Sequence, residues 1–296
     1  MLYLGVDGGG TKTEVVALDG KGRVVFRRTY PSTYLPALGE EATRAAFLGI
    51  LQDLPEAPAR AVLGLGGYGE TALWDEAYRR MAQEVFGPGV RLLNDVELAW
   101  WGAFEGKEGI VVVAGTGSMA YGRGPGGSGR AGGFGPLFGD EGSAYWIGLE
   151  ALRMASKAAD GRAPPTLLGH LPKVYGKGDL LELVVFLQAE PSLLRTRVAA
   201  LAQEVDRLAE EDPGAREVLE RAAYELSLLA LTLVERLEVR RVSPIGRVFQ
   251  SRYVGRSFRV RLEGLGVRVE APQRLPAEMA ALLAYRGMDY GAREEV

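Results

Sequence analysis

Apolar runs separated by short turns occupy the first thirty residues of the chain, and this pattern predicts three strands. The run LYLGV at 2–6 precedes three consecutive glycines, and the apolar stretch TEVVALD at 13–19 follows them. A third strand-like segment, RVVFRRTY at 23–30, comes after another glycine-bearing turn. Because strands joined by short turns pair with their neighbours, we expect an antiparallel meander rather than the strand, loop and helix of a Rossmann or P-loop unit.

Helical and strand-like periodicities alternate after this meander. They predict a helix near 40–53, a strand from 61, a helix near 71–86, a strand from 91 and a helix from about 96. The predicted order of the first half is therefore βββαβαβα.

A second half begins at residue 109 with the same arrangement. GIVVVAGTGSMAYGRG at 109–124 is again an apolar strand, a glycine turn and a returning strand, and VVAGTGSM within it is a degenerate echo of GVDGGGTK at 5–12. Beyond it we expect a helix over about 142–158, a helical block over about 165–239, strands in RVFQSRY at 247–253 and VRVEAP at 267–272, and a helix over 277–286. Two halves that begin alike indicate an internal duplication with a ligand cleft between them.

Composition narrows the class of protein. A chain of 296 residues exceeds one compact core, so two domains are expected. The net charge of −3, without long runs of like charge, does not suit binding to a nucleic-acid backbone, so we expect no nucleic-acid partner. The absence of cysteine excludes disulfides, cysteine zinc sites and a protein-held iron–sulfur cluster. No signal-peptide pattern or membrane-length apolar segment is evident, so we expect a cytoplasmic protein without a membrane partner.

The motif DGGGTKT at 7–13 has two interpretations. Consecutive glycine N–H groups, with the hydroxyls of Thr11 and Thr13 and the ammonium of Lys12, are suited to binding phosphate. The alternative is a hairpin turn in which glycine supplies positive φ angles. The motif alone favours neither. The second glycine turn, GTGS at 115–118, favours phosphate, since two such turns in equivalent places are not explained by turn geometry alone.

Asn94 and Asp95 stand where a predicted strand ends and a helix begins. The simpler interpretation is that Asn94 caps the helix, with Glu97 three residues later. The functional interpretation makes Asp95 a general base at the carboxyl end of a strand. His170, the single histidine, has neither a cysteine nor a second histidine to pair with, so a general base must be a carboxylate.

In the segment GGFGPLFGDEGSAYWIG at 132–148, five glycines, two phenylalanines and the acids Asp140 and Glu141 precede the apolar stretch that begins the helix. Glycines allow the backbone to approach a ligand closely, and the acids supply hydrogen-bond acceptors. The alternative is that Asp140 only caps the helix. A cap does not require so many preceding glycines.

Together these four motifs resemble the sugar kinases and ATPases of the actin/Hsp70/hexokinase superfold, and within it the N-acetylglucosamine kinase branch of the BadF/BadG/BcrA/BcrD group. The resemblance covers essentially the whole chain. It implies an α/β fold of two RNase H-like domains with a ligand cleft between them, one formed by 1–108 plus 275–296 and the other by 109–274. It also implies ATP and Mg²⁺ as cofactors and a small sugar as partner. A homodimer is compatible with the resemblance.

Site residues follow from the resemblance position by position. It implies Asp95 as the catalytic base and Asp7 as a ligand of Mg²⁺ through water. The implied cofactor-binding residues are Asp7, Gly8, Gly9, Gly10, Thr11, Lys12, Thr13, Gly115, Thr116, Gly117, Ser118, Gln250 and Ser251. The implied substrate residues are Tyr34, Asn94, Asp95, Thr116, Gly117, Phe134, Gly135 and Asp140.

Three of these positions depart from the family pattern. Tyr34 stands where the family has a sugar-binding asparagine, and Phe134 where it has a tryptophan. Gln250 and Ser251 stand where the family usually has Gly-Gly or Gly-Ser in the loop that approaches adenosine.

The sequence therefore predicts an ATP-dependent kinase that phosphorylates a hydroxyl, the 6-hydroxyl first, of an amino sugar such as N-acetylglucosamine or glucosamine, or of a related hexose. The alternative, motivated by Tyr34 and Gln250, is a non-catalytic sugar or nucleotide sensor of the same fold. A further group of similar proteins, the ATPases that activate 2-hydroxyacyl-CoA dehydratases, is expected to hold an iron–sulfur cluster through cysteines. Because this chain has no cysteine, an electron-transfer role of that kind is excluded.

Overall fold

The computed structural model describes residues 1–287 and divides the chain into two compact units. Unit 1 consists of Met1–Gly106 with the segment that returns from Pro272, and unit 2 is Lys107–Ala271. The last part of the first domain proposed from the sequence, 288–296, lies outside the described residues. In the described part of the chain, no helix is long and apolar enough to cross a membrane.

Unit 1 is built on one five-stranded sheet. Its strands are β1 (Leu2–Gly8), β2 (Lys12–Leu18), β3 (Val24–Pro31), β4 (Pro58–Leu65) and β5 (Val90–Asn94), and its helices are α1 (Leu35–Asp53), α2 (Ala72–Phe86), α3 (Asp95–Phe104) and α9 (Pro276–Arg286). The strand order is β3-β2-β1-β4-β5, with the first three strands antiparallel and the last two parallel to β1. The predicted order βββαβαβα is confirmed.

Alternation along the strands places apolar side chains on both faces of this sheet. Leu4 and Val6 pack with Phe47 of α1 on one face, whereas Val16 packs with Ala281 of α9 on the other. Gly5 is the point of closest approach to α9, because a Cβ atom there would lie 2.1 Å from the Ala281 nitrogen. Unit 1 is thus a sheet between two layers of helices.

Unit 2 repeats the sheet order of unit 1. Its strands are β6 (Gly109–Ala114), β7 (Ser118–Gly124), β8 (Gly127–Gly132), β9 (Arg241–Ile245) and β10 (Arg268–Val269), and its helices are α4 (Ala144–Ala159), α5 (Leu180–Gln188), α6 (Pro191–Leu208), α7 (Pro213–Leu237) and α8 (Arg252–Glu263), with 3₁₀ helices at Leu167–Tyr175 and Arg247–Gln250. The order β10-β9-β6-β7-β8 is again an antiparallel meander with two parallel strands beside its first strand. Both units have the same topology, as an internal duplication predicts.

The strand predicted at RVFQSRY is wrong. The strand lies earlier, at β9, and RVFQSRY forms a 3₁₀ helix and the first turn of α8. Pro244 hides β9 in the sequence, because proline inside a central strand removes a ladder hydrogen bond. It is tolerated here because β10 pairs only with Arg241 and Val242, which leaves one side of Pro244 without a partner strand.

Candidate active site

The first glycine turn joins β1 to β2. Gly8 lies opposite Thr13 in the ladder, and the Gly9 nitrogen donates to the Lys12 carbonyl at 3.0 Å. None of Gly8, Gly9 and Gly10 has a positive φ. The hairpin is confirmed, but the explanation that its glycines supply positive φ angles is wrong.

Steric space around the turn distinguishes its glycines from one another. Gly8 is required by packing, because a Cβ atom there would lie 2.4 Å from the Thr33 Oγ1 atom. A Cβ atom on Gly9 would meet nothing closer than 3.5 Å, and one on Gly10 would meet nothing within 4 Å. The fold therefore does not require glycine at Gly9 or Gly10, and without a Cβ atom both positions leave the backbone open to close approach.

Side chains of the first turn point in different directions. The Thr13 hydroxyl is fully buried and lies 3.1 Å from the Thr33 hydroxyl, with which it shares a hydrogen bond. Lys12 is exposed, and its ammonium donates to Glu14 at 2.5 Å. Thr11 is exposed at the tip. Thr13 thus fastens the turn to the segment after β3, and Thr11 and Lys12 remain at the surface of the turn.

Asn94 and Asp95 lie at the carboxyl end of β5. The Asn94 side chain caps α3 by accepting from the Val96 nitrogen at 2.9 Å, as the sequence predicts, and its amide also donates to the Tyr68 carbonyl at 2.8 Å. Asp95 is the first residue of α3, and its Oδ1 atom accepts from the same Val96 nitrogen. Its Oδ2 atom lies 3.3 Å from the position of a Cβ atom on Gly66.

Two carboxyl groups of unit 1 have raised pKa values. Burial raises the pKa of Asp95 to about 6, and burial together with the charge of Asp95 raises the pKa of Asp7 to about 7. The negative charge of Glu14 raises the pKa of Asp7 further, against the opposing effect of Lys12. Strongly perturbed carboxyl groups near a glycine turn are characteristic of functional sites.

A buried tyrosine, missed by the sequence reasoning, holds the segment that carries Tyr34. The Tyr78 hydroxyl accepts from the Leu35 nitrogen at 2.8 Å and lies 2.9 Å from the Gly66 carbonyl. The Tyr34 ring lies 3.3 Å from the Cβ position of Gly66. Ser32 completes the connection, because its hydroxyl donates to the Gly9 carbonyl at 2.9 Å and accepts from the Tyr34 nitrogen. Gly66 and Gly67, directly after β4, were the signal in the sequence for close packing at this point.

The second glycine turn, Gly115 to Ser118, joins β6 to β7. The Gly115 nitrogen donates to the Gly117 carbonyl at 2.9 Å, and the carbonyls of Gly115 and Thr116 accept from the first residues of α4. A Cβ atom on Gly115 would meet nothing within 4 Å, whereas one on Gly117 would lie 2.7 Å from Nη2 of Arg195. Gly115 thus resembles Gly9 and Gly10 in having no structural need for glycine.

Asp140 is nearly fully buried beside this second turn. Its Oδ1 atom accepts from the Ser118 nitrogen at 3.3 Å, and its Oδ2 atom accepts from Nη2 of Arg195 at 2.7 Å. Burial raises its pKa despite the Arg195 charge. The interpretation of Asp140 as a helix cap is wrong, since Ser143 caps α4. Sequence reasoning missed Arg195, which is distant in the chain and belongs to no recognisable motif.

The remaining predicted residues of unit 2 lie on exposed or structural segments. Phe134 is 62% exposed, and Gly135, next to it, has a φ of 81°. Ser251 caps α8 and donates to Asp206, and Gln250 ends the preceding 3₁₀ helix. The chain turns directly after β9 at Gly246, ahead of the 3₁₀ helix that carries Gln250. A Cβ atom on Gly246 would lie 2.2 Å from the carbonyl oxygen of Ala114, at the end of β6.

The predicted site residues therefore form two sets, one in each unit. Unit 1 brings together the first glycine turn, Tyr34, Asn94 and Asp95. Unit 2 brings together the second glycine turn and Asp140, with Gln250 and Ser251 one 3₁₀ turn beyond the end of β9. Two units of one topology, each with a glycine turn in its first hairpin, define an actin-like ATPase fold of two RNase H-like units.

Comparison with known proteins identifies the family. The model of the BadF/BadG/BcrA/BcrD ATPase family matches residues 4–284, and the chain belongs to this family. An N-acetylmuramic acid/N-acetylglucosamine kinase from Clostridium acetobutylicum is 31% identical over an alignment of 258 residues, with 80% of each chain covered. An N-acetyl-D-glucosamine kinase from Dictyostelium discoideum is 34% identical over an alignment of 184 residues, with 56% of this chain and 58% of the relative covered.

A solved structure agrees with these relatives. A Chromobacterium violaceum protein provisionally designated an N-acetylglucosamine kinase has a TM-score of 0.79 and 28% identity, over 96% of this chain and 98% of that one. The predicted family, the fold class and the enzyme class, an ATP-dependent sugar kinase, are confirmed.

Proposed function

We propose that the protein transfers the γ-phosphoryl group of ATP to the 6-hydroxyl of an amino sugar. The substrates proposed are N-acetylglucosamine, glucosamine and N-acetylmuramic acid, or a related hexose, because the relatives from Clostridium and Dictyostelium are named for two of these sugars. The observation that carries the proposal is the position of Asp95 in unit 1. A Cβ atom on Gly66 would lie 3.3 Å from the Asp95 Oδ2 atom and 3.6 Å from the Gly8 carbonyl oxygen, and this closeness of Asp95 to the first glycine turn supports a carboxylate base beside a phosphate-binding turn.

In this proposal Asp95 accepts the proton of the sugar hydroxyl. With a pKa of about 6 it is ionised at neutral pH and still basic enough to receive that proton. The backbone N–H groups of the two glycine turns bind phosphate oxygens, and Thr11 and Lys12 add donors in unit 1. Tyr34 and Asn94 of unit 1, and Phe134, Gly135 and Asp140 of unit 2, orient the sugar. Positioning and charge stabilisation supply most of the catalysis of phosphoryl transfer.

Asp7 suits a magnesium ion bound together with the nucleotide. No group of three or more His, Cys, Asp or Glu within 1–287 is placed to hold a metal ion. Magnesium bound with a nucleotide needs only one or two carboxylates, since waters and phosphates complete its coordination. A cation beside Asp7 would also relieve the repulsion from Asp95. When bound, the ion would offset negative charge on the phosphates, and Asp7 would hold it through water.

Substitution of Asp95 tests the proposal directly. The Asp95→Asn variant keeps the shape and the hydrogen bond to Val96 but cannot accept a proton. We expect a loss of about a hundredfold or more in kcat, measured by coupled ADP release with N-acetylglucosamine, glucosamine and glucose. Asp53→Asn, a change at an exposed carboxylate of the same unit that bonds to Arg28, is the matched control.

Three outcomes would contradict parts of the proposal. Turnover by Asp95→Asn near the wild-type rate would remove Asp95 from the base role. Binding of sugar and ATP by calorimetry, without ADP release in the wild type, would favour a sensor. Phosphorus NMR of the product identifies the hydroxyl, and a signal at a position other than C6 would refute the 6-hydroxyl.

A further inference from the structure

An arginine lies directly against the second glycine turn. Arg195, on α6, donates from Nη2 to the Oδ2 atom of Asp140 at 2.7 Å. A Cβ atom on Gly117 would lie 2.7 Å from the same Nη2 atom, so a side chain at position 117 would have to displace the guanidinium. Glycine at 117 thus makes room for a cation next to the turn, where the candidate sugar residues of unit 2 lie.

The pairing with Asp140 leaves most of the guanidinium unused. Arginine has five N–H donors, and among the described residues Asp140 is its hydrogen-bond partner. The Nε atom of Arg195 is buried and has no partner within 1–287. The other Asp140 oxygen accepts from the Ser118 nitrogen, so the contact with Arg195 is made by one oxygen only. The Arg195 side chain is 37% exposed, and Asp140 is 5% exposed. Arg195 is therefore held by one contact to Asp140, with a buried Nε donor that has no partner within 1–287 and a side chain that solvent can partly reach.

We propose that Arg195 binds a carboxylate carried by the sugar substrate and so makes the enzyme a kinase of acidic amino sugars. This assignment rests on the proposed function, in which Gly117 and Asp140 contact the sugar. The Asp140 carboxylate favours a ligand with a single negative charge over a polyphosphate, because repulsion grows with the charge brought beside it. N-acetylmuramic acid carries one such carboxylate, on a lactyl ether, and N-acetylglucosamine carries none.

The test varies one charge on the ligand and one on the protein. The ligands are N-acetylmuramic acid, its methyl ester and N-acetylglucosamine, and the proteins are the wild type, Arg195→Met and Arg195→Lys. Since a hydrogen bond to a charged group contributes more than a neutral one, we expect the wild type to prefer the acid over the ester by about tenfold or more in kcat/KM. Arg195→Met should reduce that preference to within about twofold, and Arg195→Lys should retain part of it.

The matched control is Arg207→Met, on the same helix, where the arginine pairs with Glu204 at the surface. It should keep the full preference for the acid. Thermal unfolding of each variant shows whether it folds, and Arg195→Lys preserves the charge if Arg195→Met does not fold.

Several results would overturn the assignment. One is a wild type that does not distinguish the acid from the ester. A second is an Arg195→Met variant that loses activity equally with all three sugars, which would mean that Arg195 acts only by holding Asp140. A third is an Arg195→Met variant in which only the KM for ATP rises, which would mean that Arg195 binds the nucleotide and not the sugar. Turnover of N-acetylglucosamine by the wild type tests the proposed function separately from the role of Arg195. A wild type that turns over none of the sugars would refute both proposals.

Discussion

At the scale of single residues, the site combines carboxyl groups whose ionisation is unfavourable. Burial raises both pKa values, and a neighbouring negative charge adds to each shift, that of Glu70 for Asp95 and that of Asp95 for Asp7. Groups held in an unfavourable charge state reduce the stability of the fold, and they persist where they are needed for function. Asp95 should therefore affect activity and stability in opposite directions.

The pH dependence of activity should report Asp95. The carboxylate must be ionised to accept a proton, so kcat/KM should fall about tenfold per pH unit below a pKa of about 6. The measurement is a pH profile of kcat/KM for N-acetylglucosamine at saturating ATP–Mg²⁺. A profile that stays flat from pH 7 to pH 5 would contradict this role.

The pH dependence of stability should show the opposite sign. Because the folded-state pKa of Asp95 exceeds the usual 3.8, the ionised carboxylate destabilises the fold, and this cost develops as the pH rises from about 4 to about 6. Asp95→Asn removes the cost and should be more stable than the wild type by about 1–3 kcal/mol at pH 8. The difference should shrink at pH 4.5. Urea denaturation at both pH values measures it, and a variant less stable than the wild type at pH 8 would contradict the prediction.

At the scale of elements, the two kinds of glycine in the β1–β2 hairpin should respond differently to alanine. Gly9→Ala and Gly10→Ala meet open space, so stability should change by less than about 0.5 kcal/mol. A methyl group where the backbone approaches phosphate should lower kcat/KM for ATP by about tenfold or more. Gly5→Ala places its methyl group 2.1 Å from the α9 backbone and should destabilise the fold by about 1–3 kcal/mol or more.

Thermal unfolding and ATP kinetics of the three variants separate these effects. If Gly9→Ala and Gly10→Ala lose stability rather than affinity for ATP, those glycines serve the turn and not a ligand.

Tyr78 connects α2 to the segment that carries Tyr34, and its hydroxyl should act on sugar binding. Tyr78→Phe keeps the ring but leaves the Leu35 nitrogen without its acceptor, at a cost of about 1–3 kcal/mol. We expect the KM for the sugar to rise several-fold while the KM for ATP changes little. Tyr30→Phe, which removes an exposed hydroxyl bonded to Asp53, is the matched control. Equal increases in both KM values would indicate a general loss of folding instead.

The sequence predicted most elements because their signals are local. Glycine turns between apolar strands predicted both hairpins, and the Asn94 cap followed from its place between a strand and a helix. The errors have a different origin. β9 was missed because Pro244 interrupts its pattern, and Arg195 and Tyr78 were missed because their partners are 55 and 43 residues away in the sequence. Contacts at such separations depend on packing, which periodicity does not report.

At the scale of the whole molecule, the two units differ in continuity. Unit 2 is one uninterrupted segment with its own core, whereas unit 1 needs α9 from the end of the chain. The buried side chains Ala277 and Ala281 pack on Val16 and Leu18 of β2. A fragment that ends at Gly106 would therefore expose one face of its sheet to solvent.

Separate expression of the units tests this difference. We expect the fragment 107–271 to unfold cooperatively on heating, and the fragment 1–106 to lack a cooperative transition. The place where the chain leaves unit 1 lies close to the place where it returns, since the Arg274 nitrogen donates to the Gly102 carbonyl at 2.9 Å. A short glycine–serine linker from Gly106 to Pro272 should thus restore a cooperative transition, because a short loop adds little closure entropy. Circular dichroism during thermal denaturation measures each fragment, and a cooperative transition in 1–106 alone would show that α9 is dispensable for this fold.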